Sequence, residues 1–186
     1  MKKAAIYTIT RCISKMANES NTFDYFAYGS NLLKKRIHIR NPSAVFKLIA
    51  RLDGYRLEFD YNPLDSRWHG AAATITESKG DHVWGVLWTL NKTDMESLDV
   101  QEGVGDRVYE PRTVDVTDVN GKVLRNCRTY YLVDRGFEDR RPSPQYLDVI
   151  IRGAIEHDLP VDYVKKLKAI EHNGYDGPLP LADQCK

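Results

Sequence analysis

Two strand-like segments on either side of Asn120-Gly121 constrain the fold more than any other feature of this sequence. Residues 108–118 and 123–134 are rich in β-branched and aromatic side chains, which favour strands. Asn-Gly is preferred in two-residue hairpin turns because both of its residues readily adopt positive φ. The segments therefore predict an antiparallel hairpin, which excludes a sheet built only of parallel strands joined by long crossovers.

Further strands are predicted upstream, and the turn signal Asp53-Gly54 predicts a second hairpin between two of them. The segment 82–90 carries apolar side chains on both faces, so we expect protein to cover both. A pair of these strands surrounds the turn-like Lys79-Gly80-Asp81. The predicted strands are residues 23–28, 44–52, 55–61, 70–78 and 82–90.

Helices are predicted between and after the strands. Leu32, Leu33, Arg36 and Ile37 recur at helical offsets within residues 31–43. Ser143 is a suitable N-cap before Pro144, and an apolar stripe follows it. The remaining helices are expected near residues 93–99 and 161–170. Hairpins with helices set at intervals predict an α+β fold.

Composition excludes several classes of function. The 27 basic and 26 acidic side chains nearly balance, which argues against binding to nucleic acid or an anionic membrane. The three cysteines form no CxxC pair and the histidines form no ligand motif, so no metal site is predicted. Such cysteine usage fits a reducing cytosol.

The chain is of a size for one domain. We expect residues 1–22 to be a disordered leader, residues 23–177 to form a single catalytic domain, and residues 178–186 to be an irregular tail. The leader is basic and has no acid before Glu19, which resembles a mitochondrial presequence faintly and leaves import as the lesser alternative to the cytosol.

Tyr28-Gly29-Ser30-Asn31 is the first of two unusual loops, because it opens a helix directly after a strand. Such a turn presents backbone N–H groups that bind carboxylates and oxyanions. From the spacing alone, an ordinary N-cap, with Ser30 or Asn31 satisfying the first turn, is the favoured explanation of the same residues.

The second loop, residues 99–105, places Glu102 beside Gly103 and Gly105 at the end of a predicted short helix. The negative end of a helix dipole disfavours another negative charge, which suits a carboxylate that takes up a proton. A solvated glutamate before a C-cap glycine is the alternative.

Five segments then resemble the γ-glutamylcyclotransferase family, in register from about Phe23 to Gly177. They are YFAYGSNLLKKRIHIRNPSA, WHGAAATI, VWGVLW, SLDVQEGV and PSPQY, in the family's order and at similar spacing. The resemblance implies a mixed fold around a small β-barrel flanked by helices. It also implies conversion of γ-glutamyl amino acids to 5-oxoproline and the free amino acid, with no metal or organic cofactor, in an enzyme that is a homodimer.

The resemblance also implies the roles of individual residues. The catalytic acid falls on Glu102, and the substrate loop falls on the YGSN turn. Tyr28, Tyr109 and Tyr146 are expected to shape the cavity, although each would also suit a core. The implied substrate-binding residues are Tyr28, Gly29, Ser30, Asn31, Tyr109 and Tyr146.

The sequence departs from the family pattern at two places. Val100 stands where the commoner sequence has a second acid, which leaves Glu102 without a rival. Arg135, Arg140 and Arg141 enrich a loop near the expected mouth of the cavity, either as solvated side chains or as a receptor for the carboxylate of the leaving amino acid.

Three alternative functions stay open. Relatives on this fold cleave glutathione or γ-glutamylamines, and specificity depends on the shape of the cavity. Asn31 after YGS, with its flanking residues, favours γ-glutamyl amino acids. A non-catalytic binding protein is the third alternative, since a fold does not guarantee its chemistry.

Overall fold

The computed structural model describes residues 20–60, 68–133 and 140–178, and within them five strands close into a barrel. Around the barrel the order is β1, β3, β2, β4, β5, with antiparallel pairing everywhere except between β5 and β1. The predicted α+β class with a small mixed barrel is confirmed. The strands are β1 (Thr22–Ala27), β2 (Val45–Asp60), β3 (Ala72–Asn91), β4 (Tyr109–Asp118) and β5 (Val123–Leu132).

The hairpin predicted at Asn120-Gly121 is present and joins β4 to β5. Gly121 has a φ of 83°, as this kind of turn requires. The Asp118 carboxylate accepts hydrogen bonds of 2.8 Å from the backbone N–H groups of Asn120 and Lys122. The turn is therefore stabilised by a side chain as well as by its glycine.

The prediction of a hairpin at Asp53-Gly54 was wrong. β2 runs through this site, and the segments 70–78 and 82–90, from Ala72 onward, likewise belong to the one strand β3. Asp53 pairs with His82 whereas Tyr55 pairs with Glu77, so the register shifts at Gly54, whose φ is 79°. The turn-forming residues of both strands lie in a shared bulge. The bulge bends the long ribbon formed by β2 and β3 and does not reverse the chain.

Short helices lie at the ends of the barrel strands and longer ones follow β5. Ser143 caps the longest helix as predicted, since its side chain accepts a hydrogen bond of 3.2 Å from the backbone N–H of Tyr146. The α-helices are α1 (Lys34–His38), α2 (Met95–Gln101), α3 (Pro144–Glu156) and α4 (Val161–Lys168), with 3₁₀ turns at Ser30–Leu32, Lys92–Asp94 and Val104–Asp106.

Helix α3 packs directly against the 3₁₀ turn that follows β1. A Cβ atom added at Gly153 would lie 2.5 Å from the backbone N of Leu33 and 2.7 Å from the carbonyl carbon of Leu32. Only a glycine allows this approach without a shift of the backbone. The contact fixes the position of the turn against the barrel.

The predictions for the chain ends lie mostly outside the described residues. β1 begins at Thr22, within the segment that was assigned to the leader, and the tail beyond Pro178 is not among the described residues. In the described part of the chain, no helix combines the length and the apolar character needed to cross a bilayer.

Candidate active site

The predicted substrate loop is a tight 3₁₀ turn between β1 and α1. Gly29 is its N-cap residue, and neither Ser30 nor Asn31 caps it with a side chain. The Leu32 N–H donates to the Gly29 carbonyl at 3.0 Å, and the Trp88 indole N–H donates to the Asn31 carbonyl at 3.0 Å. The ordinary capping alternative is therefore not what the loop adopts.

The two loops singled out in the sequence meet through Asn31 and Glu102, which are 71 residues apart in the chain. Asn31 is 4 % exposed, and its Nδ2 donates to Glu102 Oε1 at 3.1 Å and to the hydroxyl of Tyr25 at 3.1 Å. Glu102 is half-buried at the C-terminal end of α2. The site thus holds a carboxylate against a buried amide.

A chain of side-chain amides orients this pair. Asn41 Nδ2 donates to Gln101 Oε1 at 3.1 Å, and Gln101 Nε2 donates to Asn31 Oδ1 at 3.1 Å. Gln101 Nε2 also lies 3.4 Å from Glu102 Oε1. Because the amides of Gln101 and Asn31 are each bonded through both their oxygen and their nitrogen, Asn31 and Glu102 are positioned before any ligand arrives.

Three predicted tyrosines form a buried wall of the site. Tyr28 donates its hydroxyl to the Tyr130 carbonyl at 2.5 Å, and Tyr109 donates to the Ala73 carbonyl at 2.9 Å. The Tyr146 hydroxyl accepts from the Ala73 N–H at 3.0 Å. Each tyrosine therefore both lines the site and holds the backbone around it.

Two tyrosines near Glu102 stay protonated. Burial raises the pKa of Tyr25 well above its ordinary value, and the negative charge of Glu102 raises it further. The pKa of Tyr28 is raised well above its ordinary value by the same two causes in the same order. Both hydroxyls are therefore neutral hydrogen-bond donors or acceptors at neutral pH.

These side chains enclose a cavity of about 50 Å³, and all of the predicted site residues line it. The lining also contains residues that were not predicted as part of the site: Tyr25, Arg36, Trp68, Ala72, Ala73, Gln101 and Tyr130. Arg36 could have been recognised, because it is a cation among the apolar positions of a helical stripe. Nothing in the spacing of the other six marked them.

Helix α2 is anchored to β5 next to the cavity. Asp99 accepts hydrogen bonds from Arg128 Nη2, at 2.6 Å, and from the Tyr130 hydroxyl. Arg128 Nε in turn donates to the Tyr130 hydroxyl at 2.7 Å. Since Glu102 ends the same helix, this cluster stabilises the position of the carboxylate.

The arginine-rich loop lies away from this cavity as far as it is described. Arg140 Nη1 is 3.8 Å from the buried Asp60 carboxylate and lines a separate groove of about 480 Å³. The Arg141 carbonyl accepts a hydrogen bond of 3.1 Å from Ala71. Arg135 lies outside the described residues.

Other chemistries find no support in the described residues. No three His, Cys, Asp or Glu side chains cluster there in a way that would hold a metal ion. Cys127 is 0 % exposed, and burial raises the pKa of its thiol to about 11. The thiol is therefore uncharged at neutral pH and is not available as a nucleophile.

We expect Tyr146→Phe to lower the free energy of unfolding by about 1 to 3 kcal/mol, because the buried Ala73 N–H would lose its acceptor. Denaturant unfolding measures this. Tyr131→Phe is the control, since the Tyr131 hydroxyl bonds Glu110 at the surface and should contribute about 1 kcal/mol or less. Equal stability of Tyr146→Phe and wild type would contradict the assigned bond.

Comparison with known proteins identifies relatives that cover most of the chain. The AIG2-like family model matches residues 82–167. A mouse protein named gamma-glutamylcyclotransferase is 49 % identical over 170 residues, covering 90 % of this chain and 89 % of the mouse protein. The human protein of that name is 46 % identical over 168 residues, covering 89 % of this chain and 88 % of its own length.

A solved structure shares both the fold and the sequence. It is named gamma-glutamyl cyclotransferase and matches with a TM-score of 0.82 and 46 % identity, covering 87 % of this chain and 96 % of its own.

Proposed function

This chain belongs to the γ-glutamylcyclotransferase family and is an enzyme of that type, and from this premise we propose that it converts γ-glutamyl amino acids to 5-oxoproline and the free amino acid with Glu102 as its general base. One observation carries the assignment. Glu102 Oε1 lies 3.1 Å from the buried Asn31 amide, in a cavity walled by tyrosines. This carboxylate is held in place where a substrate would sit.

The reaction needs no nucleophile from the protein. The α-amine of a γ-glutamyl amide attacks the γ-carbonyl of the same molecule, forming the ring C–N bond. The original amide C–N bond then breaks and releases the amino acid. The amine arrives as an ammonium group, so a base must take its proton before attack and the departing nitrogen must receive one.

Glu102 is suited to both proton transfers. A single carboxylate that reaches both nitrogens can relay a proton from the attacking nitrogen to the leaving nitrogen. The relay runs twice, because the attacking nitrogen loses two protons between ammonium and lactam and the leaving nitrogen gains two between amide and ammonium. The amide chain through Gln101 and Asn31 holds it in one orientation. Tyr28, Tyr109 and Tyr146 would keep the γ-glutamyl chain folded back on itself, so that its amine lies near the carbonyl.

The turn at Gly29, Ser30 and Asn31 is the proposed anion site. Its N–H groups begin a 3₁₀ turn, where backbone donors have no partner within the turn. They would bind either the oxyanion of the tetrahedral intermediate or the α-carboxylate of the substrate. A donor to the oxyanion contributes about 3 to 4 kcal/mol to the barrier reduction.

The substrate class is tested by measuring 5-oxoproline release from γ-glutamyl-alanine, glutathione and γ-glutamyl-ε-lysine in parallel. We expect turnover of γ-glutamyl-alanine to exceed that of the other two. Turnover confined to glutathione or to γ-glutamyl-ε-lysine would move the assignment to that activity. No turnover of any of them would favour a binding protein on this fold.

The remaining parts of the proposal rest on the resemblance and on composition. We expect the enzyme to act without a metal or organic cofactor, as a homodimer, in the cytosol, and to contribute to glutathione-related γ-glutamyl turnover. The balanced charge gives no reason to expect a nucleic-acid or membrane partner.

A further inference from the structure

Arg36 is a buried cation in the cavity that forms no ion pair with any acidic side chain in the described part of the chain. It lies on α1, is 3 % exposed and lines the same cavity as Glu102. Its Nε is sealed from solvent and has no hydrogen-bond partner. Among the described residues, no carboxylate forms an ion pair with it.

A purely structural role explains this arrangement poorly. Buried charges in proteins are normally paired, because removing an ion from water is costly. The guanidinium carbon of Arg36 lies 6.0 Å from the centre of the Trp68 ring, at the outer limit of a cation–π contact. Such a contact does not replace the missing anion. The site is thus electrostatically incomplete as it stands.

The shape of the guanidinium indicates what would complete it. Its planar N–H donors match the two oxygens of a carboxylate, and such charge-assisted pairs are the strong ones. Glu102 is in the same cavity, but its Oε1 is bonded by Asn31 and it forms no ion pair with Arg36. The partner therefore has to come from outside the described chain.

We propose that Arg36 binds a carboxylate of the substrate. This inference rests on the proposed function. A γ-glutamyl amino acid carries two carboxylates, the α-carboxylate of its glutamyl half and the carboxylate of its leaving amino acid. Arg36 would bind the carboxylate group that both halves carry. Substrates that lack one carboxylate or the other show which of the two it binds.

Arg36→Gln removes the charge and leaves a shorter, neutral polar side chain. We expect it to raise KM for γ-glutamyl-alanine by about 10- to 150-fold, the loss expected for a hydrogen-bonded charged group, with a smaller change in kcat. Arg36→Lys keeps the charge but lacks the planar guanidinium. Its KM for γ-glutamyl-alanine should lie between those of the wild type and Arg36→Gln. Arg40→Gln makes the same change at an exposed position nearby and should leave both constants unchanged.

Two truncated substrates separate the carboxylates. γ-Glutamyl-methylamide lacks the carboxylate of the leaving group, and 4-aminobutanoyl-alanine lacks the α-carboxylate but still cyclises, to pyrrolidin-2-one. If Arg36 binds the α-carboxylate, the KM penalty of Arg36→Gln persists with the first and disappears with the second. If it binds the leaving amino acid, the pattern reverses, and either pattern supports the proposal.

The same penalty with all three substrates would show a structural role and overturn the proposal, as would an unchanged KM for γ-glutamyl-alanine. If Arg36→Gln does not fold, the three substrates are compared between wild type and Arg36→Lys with the same criteria. A wild-type protein that releases no product overturns the proposed function instead, so the two failures are distinct.

Discussion

Replacing Glu102 by Gln is expected to lower kcat for 5-oxoproline release by about 10²- to 10⁴-fold, the contribution typical of a positioned proton-transfer group. The substitution keeps the size of the side chain and a carbonyl oxygen that still accepts from Asn31 Nδ2. The fold and the binding of 5-oxoproline should therefore survive. Steady-state kinetics measures kcat, and calorimetry measures the binding of 5-oxoproline.

Glu96→Gln provides the matched control for this experiment. Glu96 lies on the same helix, α2, but is exposed. The same chemical change there should leave kcat within about twofold, since exposed charges in water act weakly on a distant site. If Glu102→Gln kept near-wild-type kcat, the base would have to be another group.

Gly153→Ala is expected to lower the free energy of unfolding by about 1 to 3 kcal/mol and to reduce activity. The new Cβ would lie 2.5 to 2.7 Å from atoms of Leu32 and Leu33, two of them backbone atoms. To relieve the clash, the turn that carries Asn31 must move away from α3. Denaturant unfolding and 5-oxoproline release measure the two consequences.

Helix propensity alone predicts that Gly153→Ala stabilises the protein. The sign of the change in unfolding free energy therefore shows whether the clash or the propensity dominates. Alanine is favoured over glycine inside a helix by about 1 kcal/mol, and a variant more stable than wild type would show that the contact is not tight. Gly105→Ala is the control for stability, because a Cβ there meets no atom within 4 Å and the residue has no positive φ. It should unfold close to wild type.

Local patterns predicted the elements of this fold better than their connections. The Asn120-Gly121 turn and the Ser143 cap depend on neighbours in sequence, and both are present. Asp53-Gly54 carries a similar turn signal, yet β2 continues through it because β3 pairs with both halves and bulges at the same point. A dipeptide indicates which φ values its residues prefer. Whether the chain reverses there depends on the strand that pairs with the flanking residues, which the dipeptide does not indicate.

The site was harder to predict than the fold, because it is assembled from distant segments. Spacing alone left both loops explicable as ordinary caps, and only the family resemblance placed Glu102 with the YGSN turn. Their contact depends on barrel closure, which neither loop encodes. Arg36 fitted its helical stripe as an amphipathic side chain, and its lack of an anionic partner is visible only in three dimensions.

The amide chain that ends at Glu102 contacts one particular oxygen of that carboxylate. Asn31 Nδ2 and Gln101 Nε2 both approach Oε1, at 3.1 and 3.4 Å. An oxygen that already accepts N–H bonds is disfavoured as the site of a proton. In the proposed proton transfer, the two amides would therefore keep Oε1 as a hydrogen-bond acceptor and fix the orientation in which the carboxylate meets the substrate.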